Sequence, residues 1–165
     1  MRRSLLFCIL LALLLPAAGA ASFQPFSFHG TVIAAPLKGS RYVAGSDGQI
    51  YSVFVPRAFS IGTNVVIRGS RADADPYTVW ATPPDGSIRA TGRTSKTTVR
   101  AELVWVDASL NRFQLASHGQ IVGWVHYPQQ LEPQLLLARQ EHGPVTLHFR
   151  LGLSHGRLTL LALLP

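Results

Sequence analysis

Apolar residues along this chain recur in short runs with a period of two rather than 3.6, and that spacing predicts strands. The clearest run is 145–151, where Val145, Leu147, Phe149 and Leu151 fall on one face and Thr146, His148 and Arg150 on the other. Such alternation marks a half-buried strand. β-Branched and aromatic residues fill similar runs from Phe26 onward, separated by Gly, Pro, Asn, Asp and Ser. They predict strands at 29–35, 41–44, 49–55, 65–69 and 77–82, and again at 99–106, 112–115, 120–127, 145–151 and 157–163. The rhythm breaks at 133–141, where Pro133 in front, good helix formers within and Gly143 behind predict a short helix.

A shift of 71 residues lays RYVAGSDGQI at 41–50 onto RFQLASHGQI at 112–121. Both decapeptides read as a strand, a tight turn and the start of a second strand, with Asp47-Gly48 and His118-Gly119 in the turns. Gly48 and Gly119 answer to backbone geometry and Ile50 and Ile121 to burial; Arg41, Arg112, Gln49 and Gln120 have no packing reason. At the same offset Val32 and Ile33 fall on Leu103 and Val104, so the neighbouring strands coincide too. Strand, strand, strand, helix, strand, strand in the second half is the element order of the oligonucleotide/oligosaccharide-binding (OB) barrel. The first half follows the same order with a short connection at 57–61 in place of the helix.

The expected fold is therefore all-β, two tandem small five-stranded OB-like barrel units, the second with one short helix. A single larger β-sandwich or barrel is the alternative. The units are assigned to 21–82 and 99–165, with the polar stretch 83–98 (PPDGSIRATGRTSKTT) as a basic linker.

The N-terminus adds a location. Arg2 and Arg3, the apolar run 5–15 and the small residues Ala18 to Ala20 read as a signal peptide at 1–20, cleaved near Ala20. The expectation is a secreted or periplasmic chain without a transmembrane segment once processed. Removing twenty of the 165 residues leaves 145 and lowers the formal charge from +7 to +5. The sole cysteine, Cys8, and sole methionine, Met1, leave with the signal, which excludes disulfide and thiolate chemistry in the exported chain.

Gly30-Thr31-Val32, opening a strand, and 61–69 (IGTNVVIRG), closing one, resemble small OB-like repeat domains of bacterial secreted proteins of unassigned function. The resemblance covers about the first half; in the second, Ala101 stands where the opening glycine would be. It implies a five-stranded barrel-like unit outside the cytoplasm. It transfers no catalytic residue.

Candidate chemistry is sparse. His118, His126, His142, His148 and His155 lie in the second half, yet no H-x-H, H-x₃-H or H-E-x-x-H spacing holds two imidazoles together for a metal. His118 and His155 sit at hairpin tips. Ser117-His118 and Ser154-His155 are adjacent pairs, which strand geometry would point to opposite faces. Asp73 and Asp75 lack the further oxygen ligands of a calcium loop. We therefore expect no metal, no cofactor and no enzyme. The candidate partner is a polyanion, glycan or nucleic acid, or an envelope protein. Arg68, Arg71, Arg89, Arg93, Lys96 and Arg100 make the middle of the chain basic, and Tyr42, Tyr51, Trp80, Trp105, Phe113 and Trp124 offer rings. The assigned ligand-binding candidates are Arg41, Gln49, Arg68, Arg71, Arg89, Arg93, Arg112 and Gln120. Two other functions stay open: a small secreted metal-dependent hydrolase built on His126, His142 and His148, and an assembly subunit pairing through 158–165.

Overall fold

The computed structural model describes residues 22–36, 38–84, 86–142, 145–154 and 156–164. The expected signal peptide and His155 lie outside them, as does the side chain of His142. The first five strands are β1 (Phe23–Ala34), β2 (Ser40–Gly45), β3 (Ile50–Phe54), β4 (Thr63–Ala72) and β5 (Asp75–Trp80). They pair in the order β1-β2-β3-β5-β4, and β4 returns to β1, so the five form a ring. β6 (Ser87–Arg93) then lies along β4. The second set is β7 (Lys96–Asp107), β8 (Arg112–Ser117), β9 (Gln120–His126), β10 (Val145–Ser154) and β11 (Arg157–Leu164), with an α-helix, α1 (Glu132–His142), between β9 and β10. Here the order is β7-β8-β9-β11-β10, closed into a barrel. In each ring the third and fifth strands are parallel and the other pairs antiparallel. Both rings thus have the OB-like arrangement, the second with its helix after the third strand.

Differences from the sequence reading follow from edges and polarity. β1 begins at Phe23, because its largely exposed first half is held by pairing with β4 rather than by burial. The stretch 83–98, read as a linker, carries β6: Ile88 alone turns to the first core, but backbone pairing with β4 needs little apolar surface. α1 places Leu135 and Ala138 against the second core.

Two cores follow from the strand alternation. One lies inside the first ring, around Val32, Val43, Val53, Ile67 and Val79. The other fills the barrel with Leu103, Phe113, Leu115, Phe149, Leu151 and Leu160, and it also takes in Ile33, Tyr42, Ala44 and Ile50 from the first unit. β2 is consequently buried along its whole length. Val43 faces its own core and Tyr42 and Ala44 face the other, since successive side chains leave a strand on opposite sides. The first hairpin is therefore the wall shared by both units. Gly30 opens the way for it: a Cβ there would lie 2.5 Å from the Ala44 carbonyl oxygen, so only glycine lets β1 approach β2 so closely.

The two decapeptides form hairpins of different geometry. In the first, Gly48 N–H donates to the Gly45 carbonyl at 3.0 Å and Gly48 has φ +80°, a three-residue loop ending in a left-handed glycine. In the second, Ser117 pairs with Gln120, and His118 and Gly119, at φ +50° and +76°, make a two-residue turn. The shorter loop is offset by an irregularity between Leu115 and Ala116 in the β8–β9 pairing. Ile50, opposite Ala44, faces away from its own ring onto the second core, and Ile121 likewise faces away from its barrel but has nothing among the described residues packed over it. Ile50 is 2% exposed, whereas Ile121, expected to be buried, is 47% exposed.

Candidate functional site

β7 organises the outer surface of the second barrel. Val99, Ala101 and Leu103 point inward and are buried, leaving Lys96, Thr98 and Arg100 on the outside. Across the β7–β10 ladder Arg100 is opposite His148 and Thr98 opposite Arg150. Residues directly opposite share a face, so Lys96, Arg100, His148 and Arg150, all exposed, form one cationic patch. The two arginines and the lysine make no ion pair among the described residues.

Farther along β7 a bulge between Leu103 and Trp105 restarts the alternation and turns Trp105 outward. Trp105 is opposite Gln114 on β8, which is opposite Trp124 on β9. The row carries two indoles that are 60% and 38% exposed. Beside it, Arg112 holds its guanidinium 4.2 Å from the centre of the Trp124 ring and donates from Nε to Asp107 Oδ2 at 3.1 Å. The Ser109 hydroxyl donates to Asp107 Oδ1 at 2.6 Å, and with Arg112 it holds the Asp107 carboxyl below its ordinary range. Asp107 stays charged and keeps Arg112 in place over the indole, a contact worth about 0.5–1 kcal/mol at an exposed site. This face can stack flat rings and meet negative charge.

A second locality lies where the hairpins meet. Tyr42 Oη donates to Gln120 Oε1 at 3.3 Å, and the His118 ring stacks on Tyr77 with centroids 3.2 Å apart and planes 8° from parallel. Arg100 N–H donates to the Gly48 carbonyl at 2.8 Å. Two clefts open on either side of the stack. One, of about 390 Å³, is lined by Tyr42, Ser52, Asp75, Ser117 and Gln120 among others; its neighbour, of about 240 Å³, by Gln49, Arg100 and Glu102. Desolvation holds the His118 imidazole below its usual pKa, against the opposing pull of Glu102 and Asp75. Burial raises the Tyr42 phenol.

The eight residues singled out from sequence go to several places. Gln120 and Gln49 line the two neighbouring clefts at the hairpin junction, one each, and Arg112 belongs to the tryptophan row. Arg68 and Arg89 are exposed diagonal neighbours on β4 and β6, in rows with Ser27 and His29 of β1. Arg71 covers the Phe26 ring at 4.0 Å, and Arg93 donates to the Ile61 carbonyl at 3.3 Å. Arg41 is buried and donates to the Ser40 carbonyl. His148 and Arg150, absent from that set, carried their signal in the 145–151 alternation, which already put both on the outer face. His126 and His148 are exposed on β9 and β10, with β11 between those strands. Among the described residues no group of three His, Cys, Asp or Glu side chains is placed to hold a metal ion. No protein-family model matches this chain, and neither does any curated protein sequence.

Proposed function

We propose that this chain is a non-catalytic binding module of the cell envelope or exterior whose ligand is an anionic polymer, a glycan or a single-stranded nucleic acid. The observation that carries the reading is the outer face of β7. Its first half joins Arg100 to Arg150 and His148, and its second half joins Trp105 to Trp124 and Arg112. Cationic side chains and exposed rings along one strand suit a flexible polyanion, because stacking tolerates different rings and charge attracts the backbone. The formal charge, +5 without the signal peptide, acts in the same direction. Secretion, through the signal peptide read at 1–20, and kinship with OB-like repeat domains belong to the same proposal.

Retention on immobilised heparin and on single-stranded DNA resin tests it, and comparing the two separates glycan from nucleic acid. The protein should bind at least one at low salt and elute as salt rises, with a log–log slope reporting the cations engaged. Arg100→Ala combined with Arg150→Ala should lower that slope by about 2. Passage through both resins at low salt would remove the proposal.

A further inference from the structure

We propose that the cleft between the two hairpins is a binding site for a neutral polyhydroxylated ring, such as a single sugar residue. The inference goes beyond the polyanion reading and does not rest on it. The cleft, at about 390 Å³, falls within the range of small-ligand pockets. Ser52 and Ser117 on its wall are only 9% and 6% exposed, and neither hydroxyl has a hydrogen-bond partner among the described residues. Both hydroxyls open onto the cleft, where they can bond a ligand oxygen in place of water.

The remaining polar groups suit the same class of ligand. Tyr42 Oη uses its proton on Gln120 Oε1, which leaves its lone pairs and the Gln120 amide hydrogens for a guest. Asp75 Oδ1 accepts from the Tyr77 and Thr78 N–H groups at 3.3 and 3.2 Å, and Oδ2 remains an acceptor. Serine, tyrosine and amide groups together both donate and accept, which matches adjacent hydroxyls on a ring. Ala74, Pro76 and Tyr77 supply apolar surface for the ring's C–H face. Asp75 is the carboxylate of this lining and no lysine or arginine belongs to it, so an anion is disfavoured here. The ligand of this cleft and that of the β7 surface differ in charge.

The test is an amide-resonance titration of the isotope-labelled protein with D-glucose, D-galactose and N-acetyl-D-glucosamine, each to about 50 mM, enough to saturate a site with Kd of about 1 mM. At least one sugar should give saturable shifts at Tyr77, Ser117, His118 and Gln120. Ser117→Ala and Gln120→Ala should each weaken that binding about three- to tenfold, and Trp124→Ala should leave it unchanged. Ser52→Ala provides a further variant, and melting temperatures check that each is folded. No saturable shift at these residues with any of the three sugars would overturn the proposal. So would binding that the serine and glutamine variants leave intact, or binding that Trp124→Ala abolishes.

Discussion

His118 joins the two scales of this molecule, because one residue is at once a turn former and a contact between units. Its φ of +50° suits the two-residue hairpin, a conformation that asparagine adopts as readily, and its ring lies on Tyr77 of the other unit. Asp75, Glu102, Arg100, Tyr42 and Tyr77 surround it from β5, β7 and β2. Its pKa in the folded protein lies below the ordinary 6.5 because burial disfavours the cation. The unfolded chain therefore takes up the proton first. The stability this neutral ring contributes is whole above pH 6.5 and is lost as pH falls through the lower folded value. Thermal melts from pH 8 downward should show the native protein losing stability in that window. His118→Asn should lack this component, and parallel pH profiles for the two proteins would contradict the assignment. Nothing in the letters around His118 announced this contact, since the sequence marks a turn residue equally well whether its ring meets solvent or a tyrosine.

At the level of elements, the two hairpins separate what letters specify from what pairing specifies. Strand and turn positions were legible because period-two alternation and Asp-Gly or His-Gly at the tip are local properties. Register was not. A three-residue loop in one copy and a two-residue loop in the other displace the strands by one position, so Phe113 and Leu115 face their own core while their counterparts Tyr42 and Ala44 face the other unit's. Of the two outward isoleucines only Ile50 is covered, by that second core. Ile50→Ala should therefore cost about 2–5 kcal/mol, as for other buried isoleucines, while Ile121→Ala should stay within about 0.5 kcal/mol. Denaturant unfolding of both variants measures the contrast, and equal losses would contradict the packing of Ile50 on the second core. The bulge ahead of Trp105 escaped the sequence reading for the same reason. It changes which face a residue meets without changing the composition of the strand.

For the molecule as a whole, the order of elements was enough to anticipate two five-stranded OB-like rings, because a helix after the third strand and short loops elsewhere leave few ways to close a sheet. The way the rings meet was not legible. β2 serves two cores, and a strand buried on both faces reads like any other apolar run. The candidate surface was legible in part. Arg112, Trp105 and Trp124 stood out as residue types, but it took the β7–β8–β9 register to set them side by side, and the β7–β10 register to add His148 and Arg150. The outer face of β7 as the ligand surface is best tested by following the three indole N–H resonances while a heparin oligosaccharide is added at low salt. The account predicts that the Trp105 and Trp124 signals shift saturably, that added salt reverses the shifts, and that Trp80, which packs against Phe23 and Phe54 on the first ring, stays still. Movement of Trp80 alone, or of none of the three, would contradict it.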